Sequence, residues 1–211
     1  MSYKLLLTGF DPFAGFHVNP SFQIAQNLAV HNVIAGVRIN AFEMPTKWDV
    51  SAQILGQILH RTEYDGLILI GLAAKRSMIS LERTAHNLDD SEVADNAGVF
   101  RHQQIIDKSS PEYLHTNLPV EKFASELTDD GFPVEISHSA GNFVCNHLYF
   151  HALNMPERPR DVLFVHIPPT DDMQDTNAEY SGTLPFNLIE NFFTSLILKI
   201  TNPLRNIEST I

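Results

Sequence analysis

The chain has 211 residues, of which 44% are hydrophobic and 18% charged, a balance typical of one globular domain with a substantial buried core. The formal net charge is -11, which excludes nucleic acid as an expected partner because no basic surface could dominate the attraction to phosphates. The single cysteine excludes an intramolecular disulfide and suits a reducing cytoplasm, where we expect the protein to reside.

Short aliphatic runs alternate with longer helix-like segments along the chain. The runs predicted as strands, each buried on both faces, are 3–7, 37–42, 67–70, 134–136 and 162–167. The segments predicted as helices are 21–30, 48–60, 119–128, 143–153 and 184–200. This alternation predicts a single three-layer α/β domain over 1–211, with a mainly parallel twisted sheet covered by helices on both faces.

Two parts of the chain need separate comment, the segment 86–118 and the N-terminal apolar stretch. Residues 86–118 mix His, Asp, Asn, Gly and Ser, which predicts loops or a short hairpin rather than a core layer. The N-terminal apolar stretch is too short for the apolar region of a signal peptide, and no apolar run predicts a membrane span.

Cys145 lies in a segment that predicts a nucleophile. The residues before it, 139–142, are small or turn-forming and should end one element and begin a helix, which would place Cys145 in or near the first helical turn. Free N–H groups and the helix dipole at that position are expected to lower the pKa of the thiol and to receive an oxyanion.

A thiol nucleophile needs a base that also protonates the leaving amine, and at neutral pH that base is a histidine. His166 ends a buried apolar run, at the strand end where open α/β sheets build their sites. His147 and His151 are rivals that share one helix face and could bind a metal, but residue 148 is Leu, so the glutamate of a zinc-peptidase motif is missing. We expect them on the helix surface or at an interface, and we expect neither a metal nor another cofactor.

The third member of such a site is a group that orients the imidazole. Glu82 follows the predicted strand 67–70 in a polar-apolar alternation, but local pattern alone does not separate it from Glu43, Asp89 or Asp90.

Four segments together resemble one family, pyroglutamyl peptidase I (pyrrolidone-carboxylate peptidase), whose members are cysteine peptidases that remove an N-terminal pyroglutamate. The similar segments are Leu6-Leu7-Thr8-Gly9-Phe10-Asp11-Pro12-Phe13 with Asn19-Pro20-Ser21, Leu81-Glu82-Arg83-Thr84-Ala85-His86-Asn87, Ser139-Ala140-Gly141-Asn142-Phe143-Val144-Cys145-Asn146, and Val165-His166-Ile167-Pro168. They occur in the family's order, and the resemblance selects Glu82 as the partner of Cys145 and His166.

The resemblance also implies a doubly covered α/β fold, frequent homo-oligomers (a dimer or tetramer) and peptides with N-terminal pyroglutamate as partners. It implies a small apolar pocket for the uncharged lactam ring, for which an aromatic slot is chemically suitable. The residues implied in substrate binding are Phe10, Phe13, Asn19, Leu72, Phe143 and Val144, with Asn19 bracing the ring-binding loop.

The chain departs from the family pattern at two places near the site. Leu72 stands where members usually carry a glutamine, and Glu92 stands where they typically carry an arginine. A negative charge close to the thiol would raise its pKa and oppose an oxyanion, at an expected cost on the order of 1 kcal/mol.

The sequence therefore predicts an exopeptidase that acts through an acyl-enzyme. One alternative is a related thiol amidohydrolase with altered specificity, and another is a homologue that binds pyroglutamyl peptides with little activity. A nucleoside phosphorylase shares the fold class, but no phosphate-binding glycine loop is present.

Overall fold

The computed structural model describes residues 2–31, 34, 36–173 and 180–201. The strands, in chain order, are β1 (Tyr3–Phe10), β2 (Val37–Met44), β3 (Gly66–Leu72), β4 (Ile79–Glu82), β5 (Thr84–His86), β6 (Asp89–Ser91), β7 (Arg101–Gln104), β8 (Tyr113–His115), β9 (Val134–Ser137) and β10 (Asp161–Ile167). The helices are α1 (Pro20–His31), α2 (Trp48–Arg61), α3 (Val120–Asp129), α4 (Val144–Asn154) and α5 (Phe186–Thr201).

The central sheet has six strands in the order β2-β1-β3-β10-β4-β9. β2, β1, β3 and β10 run parallel to one another. β4 is antiparallel to β10, and β9 follows the direction of β4, so two strands are reversed. The prediction of a mainly parallel sheet is confirmed, and β4 is a core strand that the sequence analysis did not predict.

Burial differs between the middle and the edges of this sheet. β3 and β10, near the middle, are buried at every position, as expected for strands covered on both faces. β2 and β9 are the edge strands, and several of their residues are exposed or half-buried. The prediction of burial on both faces was wrong for these two, because each lies at an edge of the sheet, where several of its residues reach solvent.

Two apolar cores flank the sheet, one on each face. Residues of α1, α3 and α5 form the core on one face, and residues of α2 and α4 form the core on the other. The helices fall within a few residues of the predicted ranges. In the part of the chain that the structure describes, no helix combines the length and apolar character needed to cross a membrane.

The segment between β4 and α3 lies outside the central sheet. β5 pairs with β8 and β6 pairs with β7, which gives two small antiparallel sheets. The prediction of loops or a hairpin is confirmed in outline. The segment nevertheless sends Asn87, Asp89 and Asp95 into the interior, where all three are buried.

Candidate active site

Three neighbouring elements supply the residues predicted to be catalytic. His166 lies near the carboxyl end of β10, Glu82 is the last residue of the reversed strand β4, and Cys145 is the second residue of α4. β4 is antiparallel to β10, and in their register Glu82 pairs with Phe164, which lies two residues before His166. The carboxylate therefore lies deeper in the sheet than the imidazole.

The imidazole of His166 is oriented by Glu82. Nδ1 of His166 lies 2.7 Å from Oε1 of Glu82, and both side chains are buried. An ionised carboxylate only accepts hydrogen bonds, so Nδ1 carries the proton and Nε2 is left with a free lone pair. The ring of Phe164 lies 4.7 Å from the imidazole, centroid to centroid, and limits its rotation. This arrangement leaves Nε2 ready to act as a base.

Cys145 is half-buried and packs against the same strand pair as His166. A methyl group placed on Gly71 would lie only 3.1 Å from Sγ of Cys145, so the sulfur rests directly on this glycine. Gly71 is the residue of β3 that pairs with His166 of β10. The sulfur of Cys145 thus lies against the residue of β3 that pairs with His166.

The thiol of Cys145 is protonated in the resting site. Burial raises its pKa to about 12, and the negative charge of Glu82 adds to this, while Arg76 and the backbone act in the opposite direction. The prediction of a lowered pKa was wrong, because burial of the sulfur outweighs the start of the helix. A nucleophilic role for this sulfur would therefore require a base that removes the thiol proton.

His147 does not compete for the role of base. It is two positions after Cys145 on α4, so the two side chains leave the helix on different sides. Its Nδ1 lies 2.9 Å from Oδ2 of Asp89, and only 1% of the residue is exposed. The expectation of a surface position was wrong for His147, since the segment around β6 covers it. Among the described residues, no three His, Cys, Asp or Glu side chains are grouped as a metal site would require.

The other carboxylates considered for the third role lie elsewhere. Asp89 bonds His147 and Arg101, whose Nη1 lies 2.7 Å from it. The backbone N–H of Asp90 donates to the carbonyl of Asn142, and Glu43 is exposed. Glu82 is the carboxylate that reaches His166.

An aromatic wall lies beside the start of α4. Phe13 and Phe143 have ring centroids 6.1 Å apart, and Trp48 and Phe143 pack in a T-shaped arrangement with centroids 5.2 Å apart. Phe13 and Phe143 are half-buried, as side chains at the mouth of a pocket would be. Trp48 is a member of this wall that the sequence analysis missed, because its role depends on a contact between distant parts of the chain.

The remaining residues predicted to bind substrate lie deeper. Phe10 is 2% exposed and packs against Phe164, with centroids 6.4 Å apart. Leu72 and Val144 are also buried, at the end of β3 and the start of α4. The structure thus brings Phe13 and Phe143 together as half-buried rings, whereas Phe10, Leu72 and Val144 are buried.

Asn19 braces the loop that carries Phe13. Its Nδ2 donates to the carbonyl of Asp11 at 3.0 Å, and its Oδ1 accepts from the hydroxyl of Ser21 at 2.8 Å. On the other side of this loop, Nδ2 of Asn96 donates to the carbonyl of Pro12 at 2.8 Å. The loop is therefore fixed from two directions, and Asn96 is a contact that local sequence gave no reason to expect. Glu92, four residues earlier, is exposed.

The chain matches known proteins over most of its length. Residues 3–195 match the family model described as pyroglutamyl peptidase. A pyrrolidone-carboxylate peptidase of Gloeobacter violaceus is 36% identical over 167 residues, which is 78% of this chain and 81% of the relative. One from Caldanaerobacter subterraneus is 33% identical, over 84% of this chain and 89% of the relative.

Solved structures agree with these sequence matches. The pyrrolidone carboxyl peptidase of Fervidobacterium islandicum has a TM-score of 0.88 at 27% identity and covers 94% of this chain and 98% of its own. The pyroglutamyl peptidase I of Bacillus amyloliquefaciens has a TM-score of 0.84 at 29% identity, with 92% and 94% covered.

Proposed function

Because the chain belongs to the pyroglutamyl peptidase family, we propose that Cys145, His166 and Glu82 are the catalytic triad of a cysteine exopeptidase that releases N-terminal pyroglutamate from peptides. The observation that carries the residue roles is the 2.7 Å hydrogen bond between His166 and Glu82, next to a cysteine packed on Gly71. The family match makes the chain a hydrolase that acts on peptides.

The chemistry follows from the protonation of the resting site. His166 removes the proton of the Cys145 thiol through Nε2 as the sulfur attacks the pyroglutamyl carbonyl carbon. The resulting imidazolium is stabilised by the carboxylate of Glu82. The first N–H groups of α4 have no acceptor within their own helix, and they are the donors that we propose for the developing oxyanion.

The acyl-enzyme then forms and breaks down with balanced proton transfers. His166 gives its proton to the leaving amine, which departs as a peptide shortened by one residue. Water then loses a proton to His166 and attacks the thioester, which releases pyroglutamate and restores the thiol.

The pocket suits a ring without charge. The pyroglutamyl lactam has no free amine, so its recognition depends on apolar contact and a few hydrogen bonds rather than on a counter-ion. Phe13 and Phe143 supply aromatic faces at the start of α4, with the buried Trp48 packed against Phe143, and Asn19 keeps the Phe13 loop in position. In our proposal Phe10, Leu72 and Val144 form the floor of the pocket.

Hydrolysis of a fluorogenic pyroglutamyl amide tests this function. We expect the wild type to cleave it and Cys145→Ser to lose at least about 10³-fold in kcat/KM, with an unchanged circular dichroism spectrum. Retention of activity in Cys145→Ser would exclude the proposed nucleophile. A folded wild type that needs its thiol for another amide but ignores pyroglutamyl substrates would instead indicate the amidohydrolase alternative.

We also propose that the enzyme is one peptidase domain that works in the cytoplasm as a homo-oligomer. The family match over 3–195 supports a single domain, and the single cysteine supports a reducing compartment. Large apolar side chains that are about half exposed, at Val99, Phe100 and Ile105, support an assembly interface on the β7 side. Light scattering after gel filtration tests the assembly, and a monomer at micromolar concentration would contradict it.

A further inference from the structure

Arg76 reaches into the site from the turn that follows β3. Its own N–H donates to the carbonyl of Ala73 at 3.0 Å, which fixes the backbone of this turn. Its guanidinium then makes two separate contacts. Nη1 donates to Oε1 of Glu82 at 2.7 Å, and Nη2 donates to the carbonyl of Ser139 at 3.1 Å.

The contact with Glu82 matters because this carboxylate is fully buried. Oε1 accepts from both Arg76 and His166, each at 2.7 Å. Within the described part of the chain, Oε2 of Glu82 is buried with no hydrogen-bond partner. A buried charge with so few donors is tolerated only when an opposite charge lies next to it. Arg76 is that charge, and its side chain remains one-quarter exposed.

The contact with Ser139 links the carboxylate to the nucleophile. Ser139 begins the short segment that leads into α4, and its carbonyl also accepts from the hydroxyl of Ser137 at the end of β9. Arg76 therefore joins the turn after β3, the end of β4 and the segment before Cys145. A planar guanidinium can hold two acceptors in fixed directions, whereas a lysine ammonium is a single point of charge.

We propose that Arg76 is a positioning residue that sets the Glu82–His166 pair against the segment carrying Cys145. This inference rests on the proposed triad, since Arg76 bonds neither substrate nor sulfur. Apart from the electrostatic effect of its charge on the thiol, it acts through Glu82 and Ser139. Its loss lets the carboxylate shift and so misplaces Nε2 of His166 relative to Sγ.

A double-mutant cycle separates positioning from general destabilisation. We expect Arg76→Met to lower kcat by about 10²-fold with KM changed less than about threefold, since small misplacements of reacting groups have effects of this size. In a Glu82→Gln background, the same change should lower kcat by no more than about threefold, because the carboxylate it positions is already gone. Equal losses in both backgrounds, or wild-type kcat in Arg76→Met, would overturn the proposal.

The conservative variant and a matched control keep the test decisive. Arg76→Lys retains the charge but only one of the two contacts, and we expect a loss of about tenfold in kcat even if Arg76→Met fails to fold. Arg160→Met removes another arginine that pairs with a buried carboxylate, Asp161, at the opposite end of β10. We expect it to lower the midpoint of thermal unfolding while kcat stays within about twofold of wild type.

A measurement without substrate keeps this inference distinct from the proposed function. The rate of Cys145 alkylation by iodoacetamide at pH 7 reports how well His166 removes the thiol proton. We expect Arg76→Lys, which keeps the positive charge that lowers the thiol pKa, to alkylate about tenfold more slowly than wild type. The same change should make no difference in the Glu82→Gln background. This outcome would support Arg76 as a positioning residue even if pyroglutamyl amides were not substrates. An unchanged alkylation rate would exclude it.

Discussion

Gly71 and Cys145 are in such close contact that a methyl group on the glycine would lie 3.1 Å from the sulfur and 2.8 Å from the ring of Phe164. Glycine is therefore required at this position by space rather than by backbone conformation. The missing side chain lets Cys145 approach the strand pair that carries His166.

Gly71→Ala should therefore damage the active site. Since the added carbon meets a ring atom at 2.8 Å, either Phe164 or the start of α4 must move. We expect kcat/KM to fall by at least about 10²-fold, measured on a fluorogenic pyroglutamyl amide. Gly56→Ala is the matched control, because its added carbon meets only Cε of Met155 at 3.7 Å and lies within α2. That control should retain activity and gain about 0.5–1 kcal/mol in the free energy of unfolding. Wild-type activity in Gly71→Ala would show that the sulfur does not rest on β3.

Glu82→Gln should retain the fold and lose most of the activity. The oxygen of a neutral amide can still accept from Nδ1 of His166 and from Arg76, but it lacks the negative charge that stabilises the imidazolium. We expect kcat to fall by about 10²–10⁴-fold. Glu135→Gln provides the control, because Glu135 bonds Ser80 from the neighbouring strand β9 at 2.7 Å and does not reach His166. Similar kcat values for the two variants would contradict the role of Glu82.

The raised pKa of the Cys145 thiol, about 12, predicts an unusual alkylation profile once the base is removed. Below its pKa a thiol is mostly protonated, so the thiolate fraction rises tenfold with each pH unit. We expect the alkylation rate of His166→Asn to rise in this way from pH 7 to pH 10 without reaching a plateau. Wild type should react faster at pH 7, because His166 accepts the proton. A plateau near pH 8 in the variant would mean that the sulfur is not buried as described.

His151 should make the protein less stable in mild acid. Burial, followed by the nearby charge of His147, lowers the pKa of His151 from 6.5 to about 4. Between these values the unfolded chain binds a proton that the folded chain does not, so stability present above pH 6.5 is lost as pH falls toward 4. We expect a loss of about 2 kcal/mol between pH 7 and pH 5, measured by urea unfolding.

Replacing the imidazole tests that origin. His151→Gln should remove most of the extra pH dependence, whereas His138→Gln removes an exposed histidine and serves as the matched control. Identical pH dependence in wild type and His151→Gln would assign the effect to another group.

The sequence predicted the general fold because its strongest signals are local. The run that became β10 is buried at all seven positions, and its apolar character could be read directly. β4 was missed because it has four residues, too few for a clear pattern. The resemblance to the peptidase family is confirmed, whereas the roles of the individual site residues remain predictions.

The site itself was less accessible to local reasoning. Nothing in the sequence around Glu82 separated it from Asp89, and the difference arises only when β4 aligns against β10. Trp48 and Arg76 were not predicted as site residues, because they lie there through contacts with Phe143 and Ser139, which are distant from them in the chain. The prediction of a lowered pKa for the Cys145 thiol was wrong for the same reason, because burial of the sulfur depends on the whole structure.

A peptidase needs a group that controls proton transfer and a surface that binds substrate, and here the two come from different parts of the chain. The carboxylate of the proposed triad comes from the interior of the sheet, while the aromatic side chains proposed to bind substrate come from the Phe13 loop and the residue before α4. Mutations in the Phe13 loop can accumulate without altering the Glu82–His166 pair, which lies on other elements. During evolution, ligand preference in this scaffold can therefore drift while the reaction chemistry is inherited unchanged.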